Sequence, residues 1–136
     1  MMYENMRFHH IGIATNSLSR EKLVYDGLGY RVEGEVFHDP LQQVRGLFMT
    51  HGAMRIELLE PDSPESSLHT ILKSRQKMYH QCFECERLYE AIRHLEASGA
   101  RVVSPPKPAV AFGGRSIAFL MLPNLMLIEL VGERES

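Results

Sequence analysis

Apolar and polar residues alternate from Phe8 to Ala14, with Ile11 and Ile13 on one side and His10, Gly12 and Ala14 on the other. A period of two marks a strand covered on one face, so the histidine points away from the apolar layer. Asn16 or Ser17 can cap a following helix. Its Leu18, Leu23 and Tyr25 help form a buried side, and Gly27 and Gly29 supply its C-terminal stop. Strands are predicted at Tyr30–Phe37, Val44–Thr50 and Met54–Glu60, with His51 and Gly52 turning the chain between the last two. The first half reads βαβββ. Two prolines and three serines make Pro61–Ser67 a linker, and Leu68, Ile71 and Leu72 are spaced for a short helix over Leu68–Ser74. The plan then recurs. Strand Met78–Glu84 leads to helix Glu86–Ala97, stopped by Gly99, and then to strands Arg101–Ser104, Ser116–Leu122 and Leu125–Val131. In that helix Leu88, Ala91, Ile92 and Leu95 form the apolar stripe, and the charges form a solvated outer face. Pro105–Gly114, rich in proline and glycine, is predicted to be a loop bordering a site.

The recurrence is visible in individual residues. His10, Gly29, Arg31 and Val32 return 70 positions later as His80, Gly99, Arg101 and Val102. Ile56-Glu57-Leu58 returns as Ile128-Glu129-Leu130, where the offset has drifted to 72. An internal repeat dictates architecture and pairs positions far apart in the chain. At 136 residues the chain is too short for two independent cores. The expectation is one domain over residues 1–136, with module one at about 7–60, a linker at 61–76 and module two at about 77–132.

Charge narrows the function classes. A net charge of −2, with 24% charged and 44% hydrophobic residues, gives no electrostatic reason to expect nucleic acid and points to small-molecule chemistry or protein contacts. The opening Met1–Arg7 has no basic segment followed by an apolar core, and no run approaches membrane-spanning length; a cytoplasmic, membrane-free protein is expected. Cys82 and Cys85 form a lone C-x-x-C without a second ligand pair and without a helix start, which reads as two packed thiols.

Glu129 is the sharpest chemical signal, because Leu127, Ile128, Leu130 and Val131 surround it in a strand that must be largely buried. Buried charges persist when paired, metal-bound or neutralised. Glu57, between Ile56 and Leu58, poses the same question, and alternation puts both acids on the face used by His10 and His80. Two imidazoles and two carboxylates suit one divalent transition metal (Zn, Ni, Co, Mn or Fe) better than Mg or Ca. Singly, each residue has an ordinary explanation: a packed imidazole, or a strand acid paired with an arginine such as Arg55. Two arrangements account for the set, a metal quartet of His10, Glu57, His80 and Glu129 or a metal-free ion-pair network. His38 and His51 are candidates for the rim. Gly113-Gly114-Arg115 lacks phosphate-loop spacing and precedes a strand, so it reads as a hairpin entry with Arg115 as a candidate substrate anion contact.

The segments His10–Ala14, Ile56–Pro61, Gly113–Leu120 and Ile128–Val131 together resemble the vicinal oxygen chelate (glyoxalase/bleomycin resistance/dioxygenase) superfamily, and most closely its methylmalonyl-CoA epimerase branch. The resemblance runs from about Phe8 to Val131. It implies an α+β fold of two tandem βαβββ modules forming a cupped, barrel-like mixed sheet around a divalent metal, and a homodimer. It also implies His10, Glu57, His80 and Glu129 as metal ligands, with Glu129 doubling as the base that moves a proton next to a chelated carbonyl. The implied substrate is a small molecule such as an acyl-CoA or another acyl thioester.

Several positions depart from that branch. Pro40-Leu41-Gln42-Gln43-Val44 carries no carboxylate where the branch has a second base, and Asp39 lies just outside the segment. Tyr79–Phe83 and Leu122–Leu125 also differ from the branch pattern. Glyoxalase I, a lactoylglutathione lyase, shares the ligand set, but Ala14 and Pro61 stand where it contacts glutathione. A non-catalytic binding or resistance protein of the same fold is the alternative from a different class, and a retained metal quartet argues against it.

Overall fold

The computed structural model describes residues 5–133; the opening stretch read as lacking a leader lies mostly outside them. The elements in order are β1 (Met6–Ala14), α1 (Leu18–Gly27), β2 (Arg31–Asp39), β3 (Val44–His51), β4 (Met54–Pro61), α2 (Leu68–Lys73), β5 (Met78–Cys85), α3 (Leu88–Ala97), β6 (Arg101–Pro108), β7 (Ser116–Met121) and β8 (Leu127–Gly132). A single 3-10 turn, Val110–Phe112, lies between β6 and β7. No helix among the described residues is long and apolar enough to cross a membrane. The chain divides into two compact units, one spanning His10–Tyr79 and the other running from His80 onward together with the residues up to His9.

In the first unit the strand order is β2-β3-β4-β1, with β1 parallel to β4 and the other pairings antiparallel. One face of this sheet carries Ile13, Leu47, Met49, Ile56 and Leu58, which pack with Leu18 of α1 and, at the margin, Tyr25 and Tyr30. The opposite face carries His10, Gly12, Ala14, Glu57 and Leu59, as alternation along β1 and β4 requires. Leu68 of α2 covers part of that second face beside Ala14 and Leu59, with Phe37, Ile71, Leu72 and Tyr79 around it. Leu23, expected on the buried side of α1, is instead 67% exposed. The helix is anchored through its first turn and its tyrosine, and a ten-residue helix lying along one sheet needs no wider stripe.

The start of α1 is held from two directions. Ser17 Oγ accepts from Arg20 N at 3.3 Å, and Glu60 Oε1, reaching from β4, accepts from Leu18 N at 2.7 Å. A carboxylate at a helix N-terminus also meets the favourable end of the helix dipole. Glu60→Ala should therefore cost about 1–2 kcal/mol in chemical denaturation.

The second unit repeats the arrangement with β5-β8-β7-β6, β5 parallel to β8. Its helix face buries Ala118, Leu120, Ile128 and Leu130 against Leu88, Ala91 and Ile92 of α3. Each set of four strands is mixed and open, because no ladder joins its first strand to its last among the described residues. The helices stop identically. Gly29 at φ 95° and Gly99 at φ 99° follow α1 and α3, and Tyr30 N and Ala100 N reach back to the carbonyls of Tyr25 and Leu95. Only glycine takes that left-handed backbone without strain, which is why the repeat keeps it.

Several boundaries differ from the sequence reading by two residues or more, and two of them have a local cause. Helix α3 begins at Leu88, since Arg87 is extended (φ −131°, ψ 99°) as its N-cap residue. Strand β6 continues through Pro105, Pro106 and Pro108, where a loop was expected. Among the described residues it pairs only with β7, and its register shifts twice, so the missing N–H groups fall on an edge strand that can spare them.

Gly46 on β3 is another required glycine, for reasons of space. A Cβ there would overlap Phe37 Cζ and come within 2.8 Å of Leu59 Cδ2. Gly46→Ala should destabilise by about 1–3 kcal/mol. The cost should shrink in a Phe37→Ala background, as a double-mutant cycle by denaturant titration would register.

Candidate metal centre

Each unit holds one buried imidazole against one buried carboxylate. In the first, parallel pairing sets Gly12 beside Glu57, and the side chain two residues earlier, His10, meets the acid. His10 Nε2 lies 3.1 Å from Glu57 Oε1, with side chains 0% and 5% exposed. In the second, Cys82 is the register partner of Glu129, and again the residue two earlier, His80, meets the acid. His80 Nε2 lies 3.2 Å from Glu129 Oε1, with the same side-chain exposures of 0% and 5%. The alternative partner for Glu57 is engaged elsewhere: Arg55 donates to Glu33 at 2.9 Å.

A third member belongs to each pair. The Phe48 ring sits edge-on to His10, centroids 5.3 Å apart at 73°, and the Phe119 ring sits edge-on to His80 at 5.4 Å and 87°. Phe48 is the register partner of Glu57, and Phe119 of Glu129. Sequence reasoning missed these aromatics, although their offset of 71 falls between the 70 of the histidines and the 72 of the acids. An aromatic wall fixes the plane of an imidazole and thereby the direction of its nitrogen.

The remaining candidates have other partners. Arg115 donates from Nε to Gly132 O at 2.7 Å and from Nη2 to Glu84 Oε2 at 3.0 Å, with Phe112 under its guanidinium at 5.9 Å. It ties the ends of β5 and β8 together just beyond His80 and Glu129. His38 Nε2 lies 2.8 Å from Asp62 Oδ2, and that hydrogen bond holds the Asp62 carboxyl below its usual range. A depressed carboxyl stabilises the fold above its ordinary titration range and loses that contribution as pH falls through the lowered one. His51 packs edge-on against Tyr30. Asp39, only 2% exposed, accepts from the backbone N–H of Leu41 and of Gln42, each at 3.1 Å, so this carboxylate closes the β2–β3 turn.

Both cysteines are fully buried free thiols, as expected. Burial raises the Cys85 thiol to about 11, and its Sγ donates to Val131 O. The thiolate is the reactive form, so native Cys85 should resist alkylation at neutral pH and react once denatured, as mass spectrometry would record.

The donor set fits a first-row transition ion. Nitrogen and oxygen donors at roughly 2.0–2.2 Å from one ion, at tetrahedral to square angles, stand about 2.9–3.4 Å apart. Separations of 3.1 and 3.2 Å fall in that range. Imidazole with carboxylate is a donor mixture for zinc, iron, nickel, cobalt or manganese, and burial supplies the dry surroundings in which such an ion polarises a carbonyl.

Known proteins are similar to this chain in sequence and fold. Residues 9–119 match the model of the glyoxalase/bleomycin resistance protein/dioxygenase superfamily. The uncharacterized protein YqjC of Bacillus subtilis is 29% identical over 130 residues, covering 91% of this chain and 90% of its own. The ethylmalonyl-CoA/methylmalonyl-CoA epimerase of Cereibacter sphaeroides is 30% identical over 117 residues, 84% of this chain and 87% of its own. Among solved structures, a variant of Streptomyces coelicolor methylmalonyl-CoA epimerase in complex with 2-nitronate-propionyl-CoA superimposes with a TM-score of 0.80 at 25% identity, covering 96% of each chain. The chain belongs to the glyoxalase/bleomycin resistance protein/dioxygenase superfamily.

Proposed function

We propose that the two His–Glu pairs are halves of one centre holding a single divalent transition metal ion, and that the protein is an epimerase- or isomerase-type enzyme acting on an acyl thioester such as a 2-substituted malonyl-CoA. The observation that carries this reading is the repetition, in both modules, of a buried His–Glu pair with a partly buried phenylalanine edge-on to the imidazole. The repeat keeps each pair and its aromatic neighbour in both halves, as two equivalent contributions to one centre require. Relatives that act on acyl-CoA esters support the substrate class.

His10, Glu57, His80 and Glu129 would hold the metal, which supplies a Lewis acid that lowers the cost of charge developing on a carbonyl oxygen. Glu129 takes the proton from the carbon next to that carbonyl and returns it. Phe48 and Phe119 keep the imidazoles aligned and exclude water from their faces. The segment Pro40–Val44 offers no second carboxylate, and Asp39 is committed to its turn. With one base, the proton should often return to the face it left. Exchange of the α-hydrogen with solvent deuterium is expected to outpace inversion at that carbon.

The test combines elemental analysis of the purified protein with deuterium exchange into 2-methylmalonyl-CoA, followed by mass spectrometry and chiral analysis. About one equivalent of metal and exchange that depends on it support the reading. Absence of bound metal after incubation with zinc, cobalt or nickel would sink it. A hemithioacetal of glutathione forms the second arm, and little turnover is expected there, because Ala14 is fully buried and Pro61 ends β4.

A further inference from the structure

The two modules agree at the residues assigned to the metal and then disagree immediately beside them. On the same face, two positions along β3 from Phe48, stands Gly46; two positions along β7 from Phe119 stands Ile117. The strand partners diverge as well, since Phe37 faces Gly46 in β2–β3 and Lys107 faces Ile117 in β6–β7. A metal can be held by equivalent halves, but a substrate with different ends has to be read by residues that differ between them.

In the first module the difference makes a shaped apolar surface. With no Cβ at Gly46, the Phe37 ring lies down on the sheet against Leu59, in space that any side chain at 46 would take. Its centroid is 6.0 Å from that of Phe48, and the two rings are tilted by only 34°. Phe48 in turn stands edge-on to His10. Leu59 follows Glu57 by two residues on the same face of β4. Phe37 and Phe48 are partly rather than fully buried, so both rings keep some exposed surface.

We propose that Phe37, seated on Gly46, is the specificity wall of the site, and that it limits the length of the apolar chain on the acyl group presented at the His10–Glu57 end. This inference rests on the function proposed above. A hydrophobic wall discriminates by about tenfold or more for each methylene that it admits or rejects. It sets which chain fits and leaves the proton transfer itself to Glu129.

The experiment follows α-deuterium exchange into malonyl thioesters carrying methyl, ethyl and butyl substituents, using the metal-loaded wild type and the variants Phe37→Leu and Phe37→Ala. Phe37→Leu keeps an apolar side chain in the cluster and guards against loss of folding, which thermal melting would report. The expected result is that the butyl-to-methyl ratio of kcat/KM rises about tenfold or more in Phe37→Ala and by a smaller factor in Phe37→Leu. Most of the change should appear in KM. An unchanged ratio in folded variants, with the wild type active, overturns the specificity role alone. A wild type that exchanges none of the thioesters removes the proposed function and this inference together.

Discussion

Glu129→Gln is expected to lower α-proton exchange by roughly 10²–10⁴-fold, the range that a positioned general base contributes, while leaving a folded protein. The side chain is almost fully buried, and the amide has nearly the same volume. The amide can occupy the same space beside the His80 ring, so the packing around β8 survives. What disappears is the proposed proton acceptor, and the segment Pro40–Val44 carries no acid that could replace it. Glu57→Gln is the informative companion. It removes the equivalent carboxylate in the other module, so it should weaken metal retention comparably yet keep more of the exchange rate once metal is resupplied. Exchange at the wild-type rate in metal-loaded Glu129→Gln would remove that residue from the base role.

The pairs themselves were legible because their physics is local. A histidine on the polar side of an alternating strand, and an acid inside an apolar run, are each conspicuous, and the repeat joined them. Register then completes the geometry, placing His10 and Glu57, or His80 and Glu129, on adjacent parallel strands. Phe48 and Phe119 escaped notice because an aromatic residue in a strand has an ordinary explanation in packing; only the ladder partners identify them as neighbours of the acids. The prolines of β6 misled for a different reason. Proline argues against a central strand, and nothing in the local sequence says that this strand lies at an edge. Gly46 was equally opaque, since its requirement comes from Phe37 across the ladder rather than from its own backbone.

If the pairs are two halves of one centre, His10→Ala and His80→Ala should have closely similar effects on metal binding. An ion at about a thousand times its dissociation constant stabilises the native state by roughly 4 kcal/mol, which for a domain of this size raises the thermal midpoint on the order of 10 °C. Either histidine variant should forfeit that gain, because losing one donor from either pair opens the same coordination sphere. A metal-free ion-pair network predicts a different pattern. Removing a histidine would strand a buried carboxylate and cost about 3–5 kcal/mol without any metal, and added cobalt or zinc would leave the wild-type midpoint where it was. Melting curves of the wild type and both variants, with chelator and then with cobalt, separate the two arrangements. A metal-dependent shift that survives one substitution and not the other would mean that a single pair binds the ion alone.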